Sequence, residues 1–330
     1  MSLYKKIKIG IDKKYYICGI PVYTKKGINV FYKKYKKLFK DYDNIYVLNS
    51  NIGEAYLVFK YFANAIKSDK TLFVATKPYH IDIIKTFLPT CNYILEKNIN
   101  LDLFPRKFQI DGKSFIVLFN HDYYITLERD MREMRNDAHY YKRMKDFFKD
   151  KNNSLPNNVN LSSNPQQSLY EKISKIKLNF NNFVFIAPEA NSCLDVDDNI
   201  LTEINYSLQN AGIDVFWNIN RVHENFKNHK TCYLTLQEAL LLCSKAKAII
   251  SLRSGLAEFL TEANTPTYVL YSKFKNRTLE EQMSADKVFK GFTLSELPNY
   301  RNNIKEYLIN NSNDYKKCFN EILGELCQTM

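Results

Sequence analysis

The sequence predicts an α/β protein built as two doubly wound parallel domains facing a central cleft. Three observations carry this. Short apolar runs alternate with amphipathic segments through both halves, the pattern of parallel strands joined by crossover helices. A polar stretch at 151–168, KNNSLPNNVNLSSNPQQS, interrupts the alternation once and reads as a linker between residues 1–160 and 161–330. The segment 248–260, AIISLRSGLAEFL, reads as a buried strand running through an Arg-Ser-Gly turn into a helix.

Composition sets the bounds. A chain of 330 residues with 45% hydrophobic content fills two cores and is not a disordered polymer. No apolar run reaches the ~20 residues that span a bilayer. The start, MSLYKKIKIG, lacks the apolar core of a secretory signal, so the expected location is the cytoplasm. Seven scattered cysteines with no C-x-x-C pair read as free thiols of a reducing compartment, with no disulfide frame and no zinc site. The net charge of +12 favours anionic partners, although abundant Lys, Asn, Ile and Tyr is also what an AT-rich genome produces.

The elements follow in order. Residues 5–23 alternate apolar and basic positions around Asp12-Lys13-Lys14, as a hairpin or a pair of edge strands does. Residues 28–42 place Ile28, Phe31, Tyr32, Tyr35, Leu38, Phe39 and Tyr42 at helical spacing, with lysines between them. Such a basic helix is expected to pack its stripe on its own domain; peripheral contact with the inner face of the cell membrane is the alternative. A strand at 44–49, a turn at 50–54, a helix at 55–67, a strand at 71–76, a helix at 78–88, a short strand at 93–95 and a strand at 114–120 complete the first half. A long helical region covers 123–149. After the linker come strands at 183–187, 214–219, 248–252 and 267–271, separated by helices at 197–211, at 235–246 and from Ser254. A basic loop follows Lys273, and terminal helices are expected at 293–310 and 314–327.

In doubly wound sheets, ligands bind beyond the carboxyl ends of the strands. The turns after Asn49, Thr76, Asn120, Ala187, Ile219 and Leu252 are therefore expected in one cleft. Glu54, beside Gly53, is the candidate general base, or else a carboxylate favoured by its helix dipole. The backbone amides of Ser254, Gly255 and Leu256, with the cation of Arg253, suit a diphosphate. Gly255 is expected to let that ligand approach closely, so Gly255→Val should abolish binding and leave the fold intact. Glu258 is placed either on ribose hydroxyls or in solvent. Glu189 and Asn191, in the loop after the first strand of the second half, are expected to line the cleft. Lys273, with Lys275 and Arg277, would neutralise a departing pyrophosphate. His80 and His121 follow strand ends, and with Gly53 they are assigned to the acceptor side. Asp195, Asp197 and Asp198 include a D-x-D spacing, but Asp197 reads as a helix cap and no metal is expected. The absence of G-x-G-x-x-G, G-x-x-x-x-G-K-[ST] and G-x-S-x-G argues against dinucleotide redox, P-loop and serine-hydrolase chemistry.

With these pieces in place, the chain resembles the bacterial heptosyltransferase-like glycosyltransferases of the two-Rossmann-domain (GT-B) class. Two patches carry the resemblance. Residues 49–67, NSNIGEAYLVFKYFANAIK, look like the family's opening turn, where Glu54 stands for the usual Asp. Residues 235–274 look like its donor patch, where Arg253-Ser254 replaces an Asp-Thr. Phe183 to Ser192 is similar to a His-Pro-Gly strand and loop, with Glu189-Ala190 in place of Gly-Ala. The resemblance implies an inverting, metal-independent transfer of a sugar from a nucleotide-sugar to a glycan or lipid-linked acceptor, as in lipopolysaccharide or capsule biosynthesis. It implies no resident cofactor and no specific nucleic-acid partner. Donor binding would fall to the second half and acceptor binding to the first. A nucleotide-sugar epimerase on the same fold, or a non-catalytic basic protein binding nucleic acid or a membrane surface, are the competing readings.

Overall fold

The computed structural model describes residues 4–9, 12–17, 20–25, 27–97, 107–118, 139–148, 156–161, 164–191, 193–219, 230–274, 284–298 and 300–328. Three strands, β1 (Tyr4–Ile9), β2 (Asp12–Ile17) and β3 (Ile20–Lys25), form an antiparallel sheet where a hairpin or strand pair was expected. Helix α1 (Gly27–Phe39) follows and lays Tyr32 and Phe39 on one face of the first parallel sheet, against Ile45, Val47, Leu72, Val74, Phe115 and Val117. The stripe is thus spent on the helix's own domain, as amphipathic periodicity favours.

That first sheet has the order β6-β5-β4-β8-β7. Its strands are β4 (Asn44–Leu48), β5 (Thr71–Ala75), β6 (Asn92–Leu95), β7 (Lys107–Ile110) and β8 (Lys113–Leu118). All pairs are parallel except β7 with β8, which close a hairpin across Asp111-Gly112. Both turn residues have positive φ, 49° and 76°, so the Asp-Gly pair specifies a primed two-residue turn. The helices are α2 (Ile52–Tyr61), the short α3 (Ala63–Ile66), α4 (Pro78–Phe87) and α5 (Tyr140–Phe148). Of the long helical region expected at 123–149, only α5 and His139 lie within the described residues.

The linker is shorter than expected. Helix α6 (Asn164–Ile173) begins inside it, with Pro165 at the start, where a missing N–H is harmless. Residues 156–161 are tied to the first half. Asn157 donates its amide to the Lys60 carbonyl (2.8 Å) and its side-chain amide to that of Phe59 (2.8 Å), so it caps the end of α2.

The second sheet is wholly parallel, in the order β10-β9-β11-β12-β13. Its strands are β9 (Phe183–Ala187), β10 (Asp214–Trp217), β11 (Ala248–Leu252), β12 (Thr267–Tyr271) and β13 (Ile304–Leu308), and the three at its centre, β9, β11 and β12, are buried along their whole length. Helices α7 (Asp198–Asn210), α8 (Leu236–Cys243), α9 (Gly255–Leu260), α10 (Ala285–Phe292) and α11 (Ser312–Gln328) surround it. Asp197 caps α7 by accepting from the Asn199 amide (2.8 Å), as expected from its place. The helix expected at 293–310 is instead a single 3-10 turn followed by β13. The later part of the segment supplies the edge strand beside β12.

The halves meet through helices. α2 crosses α9, and α4 packs on α8. One continuous core runs across this joint, including Tyr56, Phe87 and Phe259, whose rings meet edge to face. Polar bonds lace its margin. Tyr56 and Lys60 hold Glu262 (2.7 and 2.9 Å), Tyr61 donates to the Pro298 carbonyl (3.0 Å), and Gln237 donates to Thr86 (2.9 Å).

Candidate functional site

The two strand–turn–helix units singled out in the sequence, β4–α2 and β11–α9, come together, each at the carboxyl end of a parallel strand. They do not face each other across open space, however. Gly53 and Gly255 are in backbone contact. A Cβ built on Gly255 would lie 2.2 Å from the Gly53 nitrogen and 2.9 Å from the Ile52 carbonyl carbon. Gly255 is therefore a close-packing position between two helix starts, which corrects the expectation that its missing side chain makes room for a ligand. The N-cap of α9 is satisfied locally: Ser254 Oγ accepts the Ala257 amide (3.2 Å).

Arg253 and Glu258 are corrected in the same way. Both are buried, at 7% and 1% exposure, and they form an ion pair with each other between the halves. The Arg253 guanidinium lies over Phe292 (4.2 Å to the ring centroid) and Tyr140 (5.3 Å). Glu258 points its other oxygen at Gly53, where a Cβ would stand 2.6 Å from Oε2. Burial pushes the Glu258 carboxyl up to about 7, against the lowering effects of Arg253 and Tyr140, while the like charge of Glu54 raises it further. Burial opposes the Arg253 charge, but Glu258, together with the Tyr140, Tyr271 and Cys193 side chains, more than offsets this and holds the guanidinium protonated. Neither group is presented to ribose hydroxyls or to solvent.

Glu54 sits at the edge of this joint, half-buried, in the third position of α2. Its Oε2 accepts the Asn51 amide (3.2 Å), which is the helix-start role. Burial lifts its carboxyl above the ordinary value, opposed by the α2 backbone and by Arg253. A carboxylate with raised basicity at the end of β4 retains the chemistry of a general base.

His80 is not a cleft residue. Its ring is fully buried. Nδ1 accepts from the amides of Thr76 and Lys77 (both 3.3 Å), which leaves the proton on Nε2 to be donated to the Ser50 carbonyl (3.0 Å). It ties the turn after β5 to the turn after β4, and burial lowers it to about 4 from an ordinary 6.5. The unfolded chain therefore binds a proton between these values that the native ring refuses. Stability from this group is complete above about pH 6.5 and is lost as the pH falls toward 4. Urea midpoints at pH 7 and pH 5 should show this loss, and His80→Gln should flatten it although its stability at pH 7 is lower.

The remaining candidates lie on the rim. Ser254, Gly255 and Leu256 are half-exposed, and Asn191 and Lys273 are exposed; Glu189 is partly buried. The loop carrying Glu189 and Asn191 is stitched to the exit of β12. The Leu194 amide donates to the Lys273 carbonyl (2.8 Å), and Ser272 donates to the Leu194 carbonyl (2.9 Å). The Cys193 thiol donates to the Arg253 carbonyl (3.3 Å), so three loops of the second half meet at one place. His121, Lys275 and Arg277 lie outside the described residues. Among the described residues, no group of His, Cys, Asp and Glu is placed to hold a metal ion. Tyr140 and Phe292, whose adjoining rings (centroids 5.2 Å apart) both contact Arg253, went unnoticed in the sequence. Nothing in their spacing signals that they meet.

Two parallel sheets whose strand ends converge on one joint define the GT-B architecture. No protein-family model and no curated relative matches the chain. Solved structures do share its fold. It is similar to a glycosyl transferase family 9 protein from Veillonella parvula, with a TM-score of 0.51, 10% identity, and coverage of 88% of this chain and 98% of that one. It is similar to the Escherichia coli ADP-heptose LPS heptosyltransferase II, with a TM-score of 0.52, 11% identity, and coverage of 87% and 99%. At these identities the likeness is one of fold. Among the described residues, no helix is long and apolar enough to cross a membrane.

Proposed function

We propose that the protein is a glycosyltransferase that moves a sugar from a nucleotide-sugar donor to a glycan or lipid-linked acceptor, by single displacement with inversion. The observation that carries this reading is the placement of Glu54. It stands half-buried, with raised basicity, at the end of β4, beside the 253–258 turn of the second half, in a fold shared with solved glycosyltransferases. In the proposed reaction, Glu54 takes the proton of the acceptor hydroxyl as that oxygen attacks the anomeric carbon. The bond to the nucleoside diphosphate breaks on the opposite side. The rim of the second half, with half-exposed Ser254 and Leu256, the side chain of Asn191 and the cation of Lys273, receives the donor and its departing charge. Glu189 orients the sugar. Gly53 belongs to the joint beside the acceptor, and metal is not required where side-chain cations carry the charge. One heptosyltransferase of the same fold is named for ADP-heptose, which makes ADP the first nucleotide to try.

Thermal shift with ADP, UDP, GDP and CDP tests donor binding directly, and stabilisation by none of them at millimolar concentration would remove the reading. Glu54→Gln should retain nucleotide binding and lose transfer by about 10²–10⁴-fold, the range expected when a general base is removed. Undiminished transfer by that variant would take the base role from Glu54.

A further inference from the structure

Charge is spread unevenly along this chain. Twelve of its 47 basic residues and only two of its 35 acidic ones fall in the first 42 positions, so that stretch carries +10 of the net +12. The rest of the chain is close to balance. A genome-wide bias toward lysine would load the whole sequence and leave no such step. All twelve basic residues are lysines.

Eleven of the twelve lie among the described residues. Lys5, Lys6 and Lys8 fall on β1, Lys13 and Lys14 on β2, and Lys25 on β3; β2 packs beside α1. On α1 and just after it, Lys33, Lys34, Lys36, Lys37 and Lys40 are all exposed. Lys34 pairs with Glu96, and Lys36 with Asp111 (3.3 Å). Among the described residues, Lys33, Lys37 and Lys40 make no ion pair; their spacing puts them on one face of the helix line. α1 covers the face of the first sheet that bears Ile45, Val47 and Phe115, whereas Tyr46, Leu48 and Phe73 belong to the core that continues into the second half. The lysine face is thus turned away from the joint between the halves.

We infer that the exposed lysines on and just after α1, Lys33, Lys34, Lys36, Lys37 and Lys40, form a docking surface for an anionic lipid bilayer, with α1 held there by charge and not inserted. The apolar stripe of α1 is already buried on its own sheet, so the helix has no free face to sink into the acyl region, unlike an interfacial amphipathic helix. Lysine alone, without arginine, supplies hydrated point charges suited to a field of headgroups; it lacks the planar fork that reads phosphates and base edges in nucleic acid. This inference does not depend on the proposed transferase activity.

The test is co-sedimentation of the full-length protein with vesicles of phosphatidylcholine alone and with about a third phosphatidylglycerol. Binding should appear only with the anionic vesicles and disappear at high salt, where the screening length is a few Å. Each lysine brought to an anionic surface raises partitioning roughly fivefold, so Lys33→Gln/Lys37→Gln/Lys40→Gln should lower it about a hundredfold. All three side chains are exposed, so the circular dichroism and melting temperature of this variant should match the parent. Equal sedimentation with neutral vesicles, no sedimentation with either kind, or full binding by the triple variant overturns the inference. So does release from the vesicles by duplex DNA at equal phosphate, which would assign the surface to nucleic acid.

Discussion

Gly255→Val is expected to unfold the joint between the two halves rather than to empty a ligand site. The added Cβ would sit 2.2 Å from the Gly53 nitrogen and 2.9 Å from both the Ile52 carbonyl carbon and the Ile52 Cβ. The nearest of these atoms belong to backbone, so no rotamer change relieves the contact, and α2 and α9 must move apart. Moving them opens the core that Tyr56, Phe87 and Phe259 share across the joint and uncovers the Arg253–Glu258 pair. Overpacking in a filled core costs about 1–3 kcal/mol when the surroundings can give, and this site lies at or above the top of that range. Urea midpoints measure the effect. Gly255→Ala should already show most of it, because the Cβ itself makes the clash. Gly324→Ala is the matched control: it lies within α11, nothing stands within 4 Å of its added Cβ, and it should stabilise by up to about 1 kcal/mol. If Gly255→Val stays within about 1 kcal/mol of the parent, the helix contact is not what joins the halves.

That glycine also shows where sequence reading succeeds and fails. The strand–turn–helix unit around Gly255 was legible, because a continuous apolar run, an N-capping serine and helical spacing are local signals. The same holds for β4–α2, for β9–α7 with its Asp197 cap, and for the apolar stripe of α1. What the glycine touches was not legible, because its neighbour is Gly53, some two hundred positions away. Arg253 and Glu258 were read as ligand contacts for the same reason. On a strip of sequence, a charged residue at a turn looks exposed, and only packing against Tyr140 and Phe292 makes it interior. His80 was read as a cleft group from its place after a strand, yet its imidazole closes two turns by accepting and donating to backbone. β7 could have been read, since Asp111-Gly112 is a strong hairpin signal. Strand β13 could not easily have been, because its residues are half-exposed and its apolar spacing fits a helix as well.

Arg253→Met should be among the most damaging substitutions in the second half, and its cost should depend on pH. The substitution keeps the packing on Phe292 and Tyr140 but leaves Glu258 as a buried carboxylate without its cation. Removing one partner of a buried pair costs about 3–5 kcal/mol, whereas replacing both partners with apolar groups is often neutral. Arg253→Met/Glu258→Met should accordingly be the milder change, and the comparison separates the uncompensated charge from lost packing. The sign with pH follows from Glu258. Its native value, about 7, lies above the ordinary 4.5, so the folded state holds a proton there that the unfolded chain releases. Stability falls as the pH rises through this window, and the loss is complete above about pH 7. Without Arg253 the native value moves higher still and the window extends upward, so the gap between variant and parent should widen from pH 7 to pH 9. Glu258→Gln, which cannot ionise, should remove the slope from either background. A gap that stays constant over that range would mean that Glu258 has the same protonation state with and without Arg253, and would overturn the expected upward shift.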